Sequence, residues 1–302
     1  MNLPAPDNTT ETPVIEFKNV SLSFDGVPAL MDLSFKLKRG QMIIITGASR
    51  SGKSVLLHLA IGLLQPDEGE ILINGSNLRS LEEPELLQLR STSMGLVFQE
   101  DTLFTGLTVY DNTAFRLTDH GMPEESIDAP VREILNFVGL DKDMEKIPEE
   151  LSIGMRRRLE IARALVGWPS IMLFDEPTSG LDPINSRQIL DLVIRARDIH
   201  GISSLHVTKE IHEIPYLSHH CAAEDEKGVV RVITGDAPQA ADIKVMVLES
   251  GEIAFFGSPA EFQDSSIPAV MQLTHPDADI TYQESLVLDP WRRKLSGDKE
   301  ML

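Results

Sequence analysis

Apolar positions along the chain change period several times, and each change marks an element. Residues 14–24 and 31–37 alternate apolar with polar side chains, with Leu33, Phe35 and Leu37 on one side of the second run. Period two puts successive side chains on opposite faces, so both runs predict half-buried strands. Residues 41–46 form a short continuous apolar run instead, which fits a strand buried on both faces. A glycine-rich segment follows, then helical spacing from 53 to about 63. Residues 69–75 predict a strand closing in an Asn-Gly turn. Between about 80 and 165 the spacing is helical, at 82–89, 109–117, 130–138 and 155–166. Strand signals return at 171–175 and 203–208 with a helix, 183–199, between them, and 244–256 reads as a hairpin. Strand–loop–helix units at both ends of a helical insert predict an α/β core carrying a helical subdomain.

Composition narrows the class. The chain has 302 residues, 42% hydrophobic and 25% charged. That is an ordinary globular balance and excludes collagen-like, low-complexity and wholly disordered readings. The 27 Lys and Arg stand against 47 Asp and Glu, a net charge of −20. Such acidity opposes non-specific nucleic-acid binding, which needs cations for the phosphate backbone. Cys221 is the only cysteine, so no internal disulfide forms, which fits a reducing compartment. Residues 1–12 are polar and predict a disordered lead without a secretory signal. No apolar run reaches the roughly 18 residues of a membrane span. The expectation is a cytoplasmic protein that meets a membrane through a partner.

Two motifs carry chemistry. Gly47-Ala48-Ser49-Arg50-Ser51-Gly52-Lys53-Ser54 is G-x-x-x-x-G-K-S between a predicted strand and a predicted helix. The glycines let the loop fold so that its N–H groups face phosphate oxygens, and the helix N-terminus adds partial positive charge. Lys53 then reaches the β- and γ-phosphates and Ser54 offers its hydroxyl to Mg²⁺. The bland alternative is a glycine-rich turn with a solvated lysine. The second motif, residues 171–176, is an apolar strand ending in Asp175 and Glu176. Asp175 is assigned to magnesium and Glu176 to the general base. A strand capped by solvated acids is the alternative here.

Over residues 14–257 the chain resembles an ATP-binding-cassette (ABC) ATPase. The resemblance rests on GASRSGKS (47–54), VFQ (97–99), LSIGM (151–155), IMLFDEP (171–177) and SGLD (179–182), in order and spacing. It implies an ABC-type P-loop nucleotide-binding domain, with an antiparallel β lobe and a helical subdomain at about 100–165. It implies ATP and Mg²⁺ as cofactors, with phosphates held by residues 47–54 together with Val55. Phe24 stacks on adenine, and Gln99 touches Mg²⁺ and senses the γ-phosphate. Ser152 and Gly154 bind ATP held by the opposite subunit, and Asp182 links the two sites, so a homodimer is implied. LSIGM, with Met155, and residues 97–117 look like the ATPases of Mla/MCE-type phospholipid transporters. That subfamily implies an MlaE-like integral membrane permease, an MCE-domain lipid-binding protein and, in some members, a small STAS-domain protein. It places the chain on the cytoplasmic face of the inner membrane. A soluble ABC ATPase of DNA repair or translation is disfavoured by the acidity and the lack of a long coiled-coil insert.

Several positions depart from the pattern. Ile153 replaces the first glycine of the signature and weakens the trans contact if that site needs a positive φ. Lys209 stands at the switch histidine, a cation without an acceptor. It can pair with the γ-phosphate while slowing hydrolysis, which leaves a nucleotide-gated regulatory module as the alternative function. His206 reads as a core or edge histidine. Residues 221–241 look inserted, either as a surface loop or as a docking flap. Arg156, Arg157 and Arg158 read as a solvated helix face with local ion pairs in preference to a nucleic-acid patch, and His219 and His220 beside Cys221 as bland loop residues in preference to a metal site. Residues 258–302 read as a polar C-terminal extension with Trp291 as an anchor.

Overall fold

A computed structural model describes residues 12–119, 121–224, 229–235 and 242–274. Strands β1 (Ile15–Phe24) and β2 (Val27–Leu37) form a hairpin, and β3 (Met42–Thr46) runs through the glycine-rich loop into α1 (Lys53–Ala60). β4 (Glu68–Ile73), β5 (Ser76–Asn77), α2 (Glu83–Ser93) and β6 (Met94–Val97) follow. The helical segment holds α3 (Val109–Asp119), α4 (Asp128–Val138) and α5 (Ile153–Leu165). Then come β7 (Ile171–Asp175), α6 (Pro183–His200), β8 (Ser203–Val207) and α7 (Glu213–His219). The described chain closes with β9 (His220–Glu224), β10 (Val230–Thr234), β11 (Ile243–Glu249), β12 (Glu252–Gly257), α8 (Pro259–Gln263) and α9 (Pro268–Thr274).

Among the described residues the strands form three sheets. One is antiparallel, ordered β2-β1-β4-β5, and one is the β10-β9 pair. The third runs β12-β11-β3-β8-β7-β6, parallel from β11 to β6. All five residues of β3, β7 and β8 are buried, because both faces of this sheet are covered. Period two then sorts them. Met42, Ile44, Met172 and Phe174 enter the core shared with α3 to α6. Ile43, Ile45, Ile171 and Leu173 enter the core shared with α1 and the antiparallel lobe. One sheet therefore holds both lobes.

The expected strands and helices form, with bounds shifted by a few residues. β6, α7, α8 and α9 were not anticipated. Four residues (β6) or one to two turns give too little periodicity to read. The polar extension supplies Phe262 and Val270 to the first core, at 2% and 0% exposure. The inserted segment contributes β9 and β10, with Cys221 and Ala222 buried. Residues 1–11, 225–228 and 236–241, and Trp291, lie outside the described residues. No helix among the described residues is long and apolar enough to cross a membrane.

Ile44 sits in the middle strand and is fully buried. Ile44→Ala is expected to lower unfolding stability by about 2–5 kcal/mol. Urea denaturation checks this; a loss below about 1 kcal/mol contradicts the two-faced packing.

Candidate functional site

The loop between β3 and α1 is shaped by backbone that side chains do not tolerate. Gly47 has φ 144° and Gly52 has φ 99°. A Cβ on Gly47 would overlap the Leu248 carbonyl, and one on Gly52 would overlap Ala29 and Leu30. The loop therefore lies flush against the neighbouring strands. Lys53 folds back into it, its Nζ donating to the carbonyls of Gly47 at 2.9 Å and Ala48 at 2.7 Å. Its side chain is buried, which pushes the ammonium below its usual pKa; Glu176 and Asp175 favour its charge. The first turn of α1 leaves N–H groups without partners inside the helix.

Asp175 ends β7 and is 5% exposed. Its Oδ1 is buried and has no hydrogen-bond partner. Burial pushes its carboxyl above the usual range, while the Ser54 hydroxyl beside it pulls the other way. A buried carboxylate oxygen left open beside a serine hydroxyl is the donor set a hard divalent cation takes. Glu176 follows at φ 44°, a left-handed conformation costing a non-glycine residue about 1–3 kcal/mol. Its N–H donates to Val207 at 3.0 Å, which fixes it to the end of β8. Its Oε2 lies 2.9 Å from Lys209 Nζ and 3.5 Å from Gln99 Nε2. That ion pair holds the Lys209 ammonium above its usual value, first through the hydrogen bond and then through charge.

A cavity of about 420 Å³ joins these groups. Ser54, Lys53, Gln99, Glu176 and Lys209 line one part, and Phe24, 46% exposed, closes another. Ser49, Arg50, Gly52 and Val55 also border it.

The remaining predicted residues lie apart from that cavity. Ser152 caps α5, its Oγ accepting the Met155 N–H at 3.3 Å. Ile153 is the first residue of α5 and takes right-handed helical backbone, so no positive φ is asked of it. Asp182 caps α6, accepting the N–H groups of Ile184 at 3.0 Å and Asn185 at 3.1 Å. Hydrogen bonds from the Asn185 side chain and backbone hold its carboxyl below the usual range. Asn185 also touches Gly154, where a Cβ would overlap its side-chain oxygen. It thus joins the signature to Asp182. Sequence reading missed it, because nothing in the spacing brings 185 near 154.

A buried network backs the site. Glu213 is fully buried, accepts the Thr178 hydroxyl bond and lies 3.0 Å from His206 Nε2. Burial pushes its carboxyl up, but the hydrogen bonds from His206 and Thr178 outweigh that and hold it below its usual value. His206 is thus a core histidine.

Two expectations are corrected. The arginines of α5 form local ion pairs as expected, through Arg156 and Arg157, but they do not make a solvated face. Arg157 is 8% exposed and donates to the carbonyls of Phe98 and Gln99, and Arg158 donates to those of Val138 and Gly139. Only Arg156, 3.4 Å from Asp101, forms a surface pair. Nor do His219 and His220 sit in a loop. They end α7 and begin β9, each ring against a main-chain carbonyl. No metal-holding group of His, Cys, Asp and Glu occurs among the described residues.

Known proteins place this arrangement. The ABC transporter family model matches residues 30–179. The intermembrane phospholipid transport system ATP-binding protein MlaF of Haemophilus influenzae is 34% identical over 241 residues, 79% of this chain and 91% of that protein. The methionine import ATP-binding protein MetN of Carboxydothermus hydrogenoformans is 38% identical over 72% of this chain and 65% of its own length. The probable ribonucleotide transport ATP-binding protein mkl of Mycobacterium leprae is 42% identical over 60% of this chain. This chain spans 65% of the MetN relative and 52% of the mkl relative. CbiO1 of Clostridium perfringens, part of an ABC transporter complex, superposes with TM-score 0.69 at 26% identity, over 90% of this chain and 99% of that one. A dimeric bacterial ABC transporter cassette gives 0.67 at 27% identity, over 81% of this chain and 98% of that one. The chain belongs to the ABC transporter ATP-binding family, and its fold is the ABC-type P-loop fold.

Gly154→Ala is expected to displace Asn185 and lower stability by about 1–3 kcal/mol, read as a denaturation midpoint. An unchanged midpoint contradicts the close contact.

Proposed function

We propose that this chain is the ATP-binding and hydrolysing subunit that powers an ABC lipid transporter of the Mla/MCE type. The observation that carries the ATPase reading is the convergence of Lys53, Ser54, Glu176 and Gln99 on one cavity that reaches Phe24, with the Asp175 carboxyl hydrogen-bonded to the Ser54 side chain behind it. In this reading residues 13–257 are the ATPase domain, with the helical subdomain at about 100–165.

Residues 47–55 hold the triphosphate, Lys53 exchanging its carbonyl bonds for phosphate oxygens. Phe24 stacks on the adenine. Ser54, Asp175 and Gln99 hold Mg²⁺, which fits the open Asp175 oxygen. When bound, Mg²⁺ neutralises phosphate charge and polarises the bond to be broken. Glu176 takes the proton of the attacking water, and Gln99 and Lys209 orient the γ-phosphate. Ser152, Gly154 and Asp182 act on ATP held by a second copy of the chain, in line with their separation from this chain's own cavity.

Lipid as cargo is supported by the extent of the matches. The phospholipid-transport relative is covered over 91% of its length, against 65% and 52% for the methionine and ribonucleotide relatives. An MlaE-like permease docks in the groove of about 360 Å³ between α2, β6, α3 and α5, where Leu87, Phe104 and Phe115 are exposed. An MCE-domain protein and a STAS-domain protein complete the assembly, on the cytoplasmic face of the inner membrane.

One observation favours a second reading. The Lys209–Glu176 ion pair occupies an oxygen of the proposed base. A chain held in that state binds ATP and hydrolyses little, as a nucleotide-gated regulatory module.

Steady-state ATPase assays on the chain alone and on its membrane-purified complex decide between them. Under the first reading the complex turns over ATP faster with phospholipid, and Lys53→Ala abolishes nucleotide binding. Glu176→Gln is expected to cut turnover about 10²–10⁴-fold. Full activity in Glu176→Gln would refute the base assignment. Tight ATP binding without turnover, restored by Lys209→His, establishes the second reading.

A further inference from the structure

Three charged side chains recur at every third position of α5 and hold the segment that contains Gln99. Arg157 Nη1 donates to the Phe98 carbonyl at 2.7 Å and Nη2 to the Gln99 carbonyl at 2.9 Å. Glu160 Oε1 accepts the Thr102 N–H at 3.1 Å, and its Oε2 pairs with Arg157 Nη1 at 2.6 Å. Arg163 donates to the Thr102 carbonyl at 2.7 Å, and its guanidinium lies 5.2 Å from the centre of the Phe104 ring. Arg157 and Glu160 are 8% and 4% exposed. Apolar residues would bury this face of α5 at least as well as an ion pair. What the pair supplies is a set of directed bonds to the main chain of residues 98–102.

We propose that Arg157 and Glu160 are positioning residues that bind residues 98–104 to α5 as one body. Gln99 then moves with the signature at the start of the same helix. The proposal rests on the ATPase reading for the importance of Gln99. The Gln99 amide lies 3.5 Å from Glu176. A loop released from Arg157 carries that amide out of reach. The same body extends to Phe104 in the proposed permease groove, so one helix would join groove, γ-phosphate sensor and signature.

Ionisation of Glu160 sets the strength of the hold. Burial pushes its carboxyl up to about 7, against Arg157, the Thr102 N–H and Arg163, while Asp101 pushes it further up. Those are the charged groups acting on it among the described residues: Arg157 and Arg163 on α5, and Asp101 on the loop, itself beside Arg156. As pH falls through about 7 the carboxyl gains a proton, and the charge that orients Arg157 is lost.

Amide hydrogen exchange on the full-length chain tests this, with protection factors for residues 98–104 measured from pH 5.5 to 8.5. The wild type is expected to lose about tenfold of its protection between pH 8 and pH 6. Glu160→Gln keeps the volume and the acceptor but not the charge, and is expected to be weakly protected at every pH. Wild-type protection independent of pH, or Glu160→Gln protection equal to the wild type at pH 8, would overturn the proposal. Glu160→Ala is run in parallel; if it fails to fold, the isosteric Gln variant still decides. In a preparation that turns over ATP, Glu160→Gln is expected to lower kcat several-fold with KM for ATP within about twofold. An unchanged kcat there overturns the link to Gln99. Nucleotide binding is measured on the same samples, with Lys53→Ala as control. Absent binding in the wild type defeats the ATPase reading, and the exchange data still judge the clamp on their own.

Discussion

Four parallel strands end at one edge, and everything else in the site depends on that. The order β3-β8-β7-β6 sets their C-terminal ends side by side, at the roughly 4.8 Å spacing of hydrogen-bonded strands. β3 delivers the phosphate-type loop, β8 delivers Lys209, β7 delivers Asp175 and Glu176, and β6 delivers Gln99. These residues span more than half of the sequence. A parallel sheet brings them to one site because its strand ends all open on the same side. The burial of β3, β7 and β8 on both faces fixes their register. A slip of one residue would exchange the inward sets of the two cores.

Opposite charges meet in the site, where the cavity is lined by Arg50, Lys53, Lys209 and Glu176. Lys53 and Lys209 face Asp175 and Glu176, and each cation has its own arrangement. Lys53 is buried and leans on carbonyls of its own loop, whereas Lys209 is exposed and pairs with Glu176. Lys53 is therefore already ordered, with little side-chain entropy left to lose in the phosphate contact proposed for it. Lys209 has a mobile stem and a choice between carboxylate and phosphate. A histidine at this position offers both a donor and an acceptor, and a lysine offers donors alone. The balance between the two proposed functions thus turns on one side chain and the group it pairs with.

The helical subdomain is attached by side-chain bonds to main-chain carbonyls in addition to the shared apolar core. Arg116 shows the same logic as Arg157. It is largely buried, donates to the carbonyls of Ser91, Met94 and Ala164, and is pushed by burial to about 10. Those carbonyls belong to the ends of α2 and α5 and to β6, so one guanidinium fastens α3 to three elements. Carbonyls at helix ends lack partners within the helix and attract cations. The groove with Phe104 and Phe115 lies directly over this joint. Force applied there would pass into α5 and residues 98–104.

The phosphate-type loop and the β7 carboxylates were legible in the sequence, because each motif is local. Eight consecutive residues carry the first, including the glycines at 47 and 52, and six carry the second. β3, β7 and β8 were legible as short apolar runs, whereas Asp182 was named only through the family resemblance and its capping of α6 came from the structure. Arg157 was misread as solvated, since helical spacing alone cannot show that a loop 58 residues earlier folds over it. Asn185, Glu160 and Glu213 stayed hidden for the same reason: each acts on a partner distant in the chain or in another element. α8 and α9 were hidden because their apolar positions are too few to show a period. The sequence by itself determined the chemistry available, the family and the longer elements, since those follow from local spacing and residue type. Only the tertiary structure decided which charges are buried and whom they bind, because burial and pairing depend on neighbours that chain order does not bring together.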